Sequence, residues 1–456
     1  MLCSGSNPHS TLGATWGRLA SLGAILLLCL TTAGLAVAQQ PTKDTIKDTT
    51  KHTIRDTTRA ARDSALAEGV AAGEADADPP KRRLVSWNYY EGRYTTIRLG
   101  AGFLVDYATY AQNEASKAQF SLSPGFKIRD SRIILNGKFR TERAITWQTG
   151  LMYDGNLDEW FVRQTGIMVA VPEWWGHVFI GRSKEGVSLN RVMVGYDGWT
   201  HERFTFSDAA IPLLADGIKW LGYLPNRHLI WNLGVFTDWL SEGESFSYYD
   251  HQIGARVAWV PMVSDSVGKL VHIGLNLQVG KPNNGFLQLR SKPEASDAPY
   301  FIDTDKFPAS RATLVGIEAY YRPGPWLFGM EYYVEKARSP ETDNPVFNGG
   351  DIVAVWLITG ETRSYNTVGG YFRGVSPART VFEGGPGAWE AVLRLSQSDL
   401  NGGTIRGGRF WRITPMVNWH LSDNVRLEFI YGYGVLDRFN LKGRTHFLQS
   451  RLQLEF

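Results

Sequence analysis

Cysteine is nearly absent: the 456-residue chain has two, Cys3 and Cys29. Both lie in the first 38 residues, so a chain trimmed on export keeps no disulfide, thiol nucleophile or cysteine metal site. An excess of one charge sign is also missing. Forty-eight Lys+Arg against 45 Asp+Glu leave a net +3 with no basic block, which excludes a nucleic-acid binder. Only one run is apolar enough to cross a bilayer as a helix, and it is N-terminal, so a polytopic helical membrane protein is excluded as well. Proline is sparse, 20 against 48 glycines, while 16 Trp and 19 Tyr are abundant.

Residues 1–38 contain no acidic residue, one Arg18, an apolar run from Leu19 to Leu30, and then Ala36-Val37-Ala38. That order is expected of a secretory signal peptide cut before Gln39, and the short core argues against a retained anchor. Leu26-Leu27-Leu28 lacks the small residue that a lipidated Cys29 would need. Residues 39–83 read as a low-complexity periplasmic spacer. Lys43, Lys47, Lys51, Arg55 and Arg59 recur every four positions with almost no large apolar group, and Pro79-Pro80 close the segment.

From residue 84 to 456 the period is two. Ile97, Leu99, Ala101, Phe103 and Val105 fall on one face, with Arg98, Gly100, Gly102 and Asp106 on the other. Val271 to Gly280, Gln252 to Trp259 and Trp326 to Val334 alternate likewise, and no helical period fits them. Apolar faces of about ten residues match a tilted strand crossing hydrocarbon. Aromatics at Tyr94, Tyr107, Tyr153, Trp259, Trp326 and Tyr431 suit interfacial girdles. Polar insertions at 283–310 and 337–350 suit surface loops. The chain ends Leu448, Leu452, Leu454, Phe456 on one face, a last strand with a terminal aromatic. The fold expected is all-β: a closed antiparallel transmembrane barrel of about 16 strands with an aqueous bore, in a Gram-negative-type outer membrane.

The polar faces put Arg98, Arg132 with Lys138, Arg256, Arg394, Arg412, Arg426 and Arg451 in the lumen. They put Asp106, Glu318, Glu331, Glu390 and Glu428 there too. Cations lead, but the same charges could simply pair across strands. Anion preference needs a local ring of Lys and Arg at a constriction, supplied by inward-folded loops.

Several segments resemble the phosphate-selective porin O and P family. They are DSRIILNGKF (Asp130 to Phe139), GRSKEGVSL (Gly181 to Leu189), LITGETRSY (Leu357 to Tyr365), GAWEAVLRLSQSDLNGG (Gly387 to Gly403), and Gly407 to Phe429 with the terminal strand. The resemblance implies a trimeric 16-stranded channel in which basic wall residues guide phosphate or polyphosphate through a narrow waist. Carried over by position, Arg132, Lys138, Lys184 and Arg394 are candidate anion-binding residues. Arg203 joins them, just before an inward loop expected at 204–227. Gly186-Val187 stands where the family has Pro-Phe.

Two other functions have residues to point to. A carbohydrate-type or general porin would use an aromatic slide, for which Trp174, Trp175, Trp199 and Trp220 are candidates. A barrel hydrolase would need a serine–histidine site, yet no G-x-S-x-G accompanies the histidines, and an enzyme is not expected. Asp303 to Lys306 lacks calcium-loop spacing, so neither metal nor other cofactor is expected. The expected partners are small anions, outer-membrane lipid, two further copies, and the barrel-assembly machinery at Phe456.

Overall fold

The computed structural model describes residues 88–193, 195–242, 248–264 and 268–456. The signal peptide and spacer expected at 1–38 and 39–83 lie outside the described residues. No described helix is long and apolar enough to cross a membrane; the crossing elements are strands.

Sixteen staves follow one another in the chain. They are β1 Thr96–Gln112, β2 Gly125–Lys138, β3 Ile145–Asp154, β4 Thr165–Val171, β5 Gly176–Ser183, β6 Ala215–Leu224, β7 Leu229–Thr237 and β8 Tyr249–Ser264. Then come β9 Lys269–Pro282, β10 Arg311–Pro323, β11 Trp326–Arg338, β12 Val346–Leu357, β13 Ala388–Gly402, β14 Ile405–His420, β15 Val425–Arg438 and β16 Leu441–Glu455. Each pairs antiparallel with the next. The barrel closes where β1 meets β16, from Gly102↔Glu455 to Gln112↔Thr445. Closure pairs every edge, which is what a sheet standing in lipid requires. Two short pieces complete the wall: Glu159–Val162 extends the line of β4 along β3, and Tyr89–Glu91 pairs with β1 beside the chain end.

The two faces separate as the alternation predicts. Outside, Ile253, Leu275, Val315, Leu393, Phe429 and Leu448 are exposed, Leu275 by 63%. Such a belt of large apolar groups belongs against hydrocarbon. Aromatic girdles border it. At the end bearing the C-terminus, Trp326 stacks on Trp356 at 5.1 Å and Trp389 on Trp419 at 4.9 Å. Toward the other end, Trp411, Tyr433 and His446 cluster. The C-terminal end carries short turns such as 225–228, 324–325 and 421–424, the periplasmic pattern for outer-membrane barrels.

The bore is not simply water-filled. Three inter-strand segments fold into it: 184–214 and 283–310 from the long-loop end, and 358–387 from the short-turn end. The expectation of 283–310 as a surface loop is therefore wrong, and only the turn 339–345 of 337–350 is loop, the rest belonging to β11 and β12. The reason is apolar matching. Phe204, Phe206 and Ile211 of the first segment join Leu287, Leu289, Phe301 and Phe307 of the second. Together they pack against inward-facing Leu314, Tyr333, Phe347, Phe410 and Phe447. Nearer the other end Leu189, Met193, Tyr196 and Trp199 meet Tyr371 and Phe372 of the third segment, against Tyr320, Val353 and Val392. Inward positions are thus apolar toward both ends and charged between.

Candidate functional site

The charged belt sits where segment 184–214 crosses the bore. It starts with an anchoring strand of contacts. Lys184, directly after β5, donates to the carbonyl of Met193 at 2.8 Å. Gly186 has φ +94, and a Cβ there would lie 2.0 Å from the Asn232 amide, so only glycine fits the turn inward. Beyond it, two wall carboxylates grip the chain. Glu318 accepts the Leu189 N–H at 2.8 Å; Glu331 accepts the Asn190 N–H at 2.7 Å and the Ser188 hydroxyl at 2.5 Å. Ser188 is held at φ +69, a strained conformation for a side-chain-bearing residue. Glu318 and Glu331 face each other across β10 and β11. Like charges so placed repel, and the donors from the loop, Arg256 and His272 offset that repulsion.

Farther along, Tyr196 lies against β1 where Gly102 leaves room; a Cβ would come within 2.1 Å of its ring. Tyr196 covers the Arg132 guanidinium at 4.1 Å. Arg129 reaches the same side through a β-bulge: Leu104 pairs with Asp130 and Val105 with Ile128, which leaves Arg129 as the extra residue. Bulges re-aim side chains in this way. Arg129 contacts Glu202 and Asp154, at 2.8 and 2.9 Å. Arg451 bridges Asp106 at 2.6 Å and Glu202 at 2.5 Å. Burial alone would raise the Glu202 pKa, but Arg129 and Arg451 outweigh it and hold the carboxyl well below its usual range. Asp106, His201 and Glu202 come close enough together to suggest a metal set. Their carboxylates are engaged by Arg451 and Arg129, so the group is a charge web.

A small, partly open cavity remains beside this web, lined in part by Arg129, Arg132, Thr200, Glu202, Arg203 and Arg451. Arg203 donates to the Asn190 carbonyl at 3.2 Å and, among the described residues, has no carboxylate in ion-pair contact. Burial, then nearby Arg191, push its pKa down to about 10. Lys127 shares the inward face, opposite Asp106 in the β1–β2 ladder. Lys292, from segment 283–310, donates to the Ser296 carbonyl at 2.6 Å. Burial, then Lys127 and Arg129, lower its pKa to about 8.

Of the sequence candidates, Arg132, Arg256, Arg394, Arg412 and Arg426 are buried in the bore, but most are matched by acids. Arg132 pairs with Asp130, Arg256 with Glu318, Arg394 with Glu294, and Arg426 with Glu428. Arg412 lies over the Phe447 ring at 4.4 Å, donates to the Gln449 side chain and stands 4.0 Å from Glu294, which it shares with Arg394. Arg98 is half-buried low on β1. Lys138 is exposed at the short-turn end of β2 and is no part of the waist. The inward loop is 184–214, not 204–227, because β6 begins at Ala215; Arg203 is therefore inside the loop. The aromatic slide is not assembled. Trp174 and Trp175 are exposed in a turn between β4 and β5, Trp220 bonds the Trp174 carbonyl there, and only Trp199 enters the bore. Arg129, Lys127 and Lys292 were missed. The bulge that turns Arg129 inward breaks the alternation that identified the others.

Comparison with known proteins agrees with this geometry. The channel DcaP of Acinetobacter baumannii superimposes with a TM-score of 0.51 at 8% identity, over 80% of this chain and 99% of that one. OmpT of Vibrio cholerae, in its trimer form, gives 0.50 at 11% identity, over 80% and 100%. Salmonella typhi OmpF, solved with daunomycin, gives 0.50 at 10%, over 81% and 100%. Identities this low establish the barrel fold alone. In sequence, an uncharacterized protein of Caulobacter vibrioides is 31% identical over 136 residues, 30% of this chain and 27% of that relative's length. The profile of phosphate-selective porin O and P matches residues 215–456, more than half of the chain, from β6 to the end. The chain belongs to the phosphate-selective porin O and P family.

Proposed function

We propose that the protein is a passive outer-membrane channel for small hydrophilic anions, phosphate or polyphosphate among them, with its waist at the cavity beside Arg203. One observation carries this reading. Most bore arginines are matched by carboxylates, whereas Arg203 on the cavity wall, and Lys127 and Lys292 close to one another beside the cavity-lining Arg129, have no carboxylate in ion-pair contact among the described residues. Local cations at a constriction lower the entry barrier for anions. Three separate cations, two of them also held by backbone carbonyls, give moderate contacts rather than one deep well. The family name supports phosphate as a cargo. The low wall of short staves, β4 to β7, with Ile167, Ile180, Ile218 and Val235 exposed, is where copies would meet in a trimer.

Reversal potentials across a planar bilayer test this. Arg203→Glu and Lys127→Glu should each lower the anion-to-cation permeability ratio severalfold, and both together should favour cations. An unchanged ratio in the double variant refutes the assignment.

The selectivity should also depend on pH. Lys292 faces Lys127 and Arg129 of β2, Asp154 of β3, Glu202 of the crossing loop and Tyr300 of its own segment. With its pKa lowered to about 8, Lys292 is charged at pH 7 and neutral at pH 9. Anion preference should therefore fall between those values, and Lys292→Arg should remove most of the fall. A flat profile in the wild-type protein contradicts the role given to Lys292.

A further inference from the structure

On the outer face, the long-loop ends of β10 and β11 carry Arg311, Lys336 and Arg338, all exposed. Arg311 and Arg338 are direct partners in the ladder, and Lys336 stands opposite Thr313 on the same face. Two like charges directly opposed in an antiparallel pair destabilise it unless an anion lies between them. Among the described residues no carboxylate comes within ion-pair distance of these three. The neighbouring Lys281, by contrast, is paired with Asp250 at 2.9 Å.

Height gives the patch its meaning. On β11 itself Lys336 stands ten residues beyond Trp326 of the lower girdle. At about 3.4 Å per residue and a strand tilt of about 40° that is about 26 Å of height, the span of the apolar band of such barrels. Below the patch on the same face lie Val315, Ile317 and Val334, within the apolar belt. The cations thus stand just above the hydrocarbon, at the level of lipid headgroups, on the tall wall away from the short staves. Their stems can run along the apolar surface with the charges in the headgroup layer.

We infer that Arg311, Lys336 and Arg338 form a binding site for the phosphorylated headgroup of a lipid in the outer leaflet. An arginine pair can grip one phosphate with its planar donor forks, and the lysine adds a point charge beside it. The acyl chains of the same lipid lie along Val315, Ile317 and Val334. The site is on the outside of the barrel and separate from the cavity in the bore.

The test uses the full-length protein in detergent, titrated with bisphosphorylated lipid A and with its dephosphorylated form, bound lipid being counted by native mass spectrometry. Wild-type protein should prefer the phosphorylated lipid by roughly a hundredfold, from three cations acting near a charged headgroup. The triple variant Arg311→Ala, Lys336→Ala, Arg338→Ala should lose most of that preference. Lys269→Ala, at the opposite end of the wall, should keep it. Equal binding of the two lipids by the wild type, an undiminished preference in the triple variant, or displacement of the lipid by millimolar inorganic phosphate would overturn the inference. Single-channel conductance of the triple variant should equal that of the wild type. This shows that it folds and keeps failure here distinct from failure of the channel reading.

Discussion

Replacing residues 189–212 with a short glycine–serine bridge should raise single-channel conductance severalfold and abolish ion preference. A wall of sixteen staves encloses more space than its own side chains fill, and here the surplus is occupied by packed chain. Segment 184–214 contributes to both apolar clusters of the bore and carries Glu202 and Arg203 to the cavity. Its removal leaves inward apolar residues facing water, yet the barrel should still assemble, because the ladders and the lipid-facing belt are untouched. A subtler version is Glu331→Ala, which removes the acceptor for Ser188 and Asn190. That loop should then detach intermittently, seen as added current noise and brief larger openings. Conductance unchanged by the excision would mean that the loop does not limit flow.

Arg451→Ala should be the most damaging single substitution in the bore. It strips a guanidinium from Asp106 and Glu202 together and leaves two buried carboxylates short of their shared cation. Breaking buried pairs of this kind costs about 3–5 kcal/mol, which should appear as a lower denaturation temperature of the refolded barrel. The local balance also becomes one charge more negative, so the permeability ratio should move toward cations. Arg451→Lys should recover little, because a single ammonium cannot hold Asp106 through two donors and reach Glu202 as well. A variant as stable as the wild type would show that Arg129 alone suffices to balance Glu202.

The barrel was legible because lipid imposes a period of two on its strands. Ile97 to Val105 and Val271 to Val279 show it without help from tertiary contacts, and the inward positions of Arg256, Arg394 and Glu318 follow by parity. The filling of the bore was not legible. Leu314, Phe347 and Phe410 interrupt the polar face, but in sequence an inward phenylalanine looks like any other strand residue. Its partners, Phe204 and Phe301, lie about 40 to 200 positions away in loops that have no periodicity of their own. Candidate cations were found by type and parity, while their charge state as pairs was not, since Glu294 and Glu202 reach Arg394 and Arg451 from loops rather than from neighbouring strands. Arg129 was hidden for a different reason: one extra residue in a strand reverses the face of a side chain.

The most direct test of the account is the reversal potential of the refolded full-length protein in a planar bilayer under a tenfold potassium chloride gradient, repeated with potassium phosphate. A passive channel with Arg203, Lys127 and Lys292 at its waist predicts discrete open steps and a reversal potential of the sign set by anions in both salts. Open steps with a cation-signed potential, or no steps at all, would contradict it.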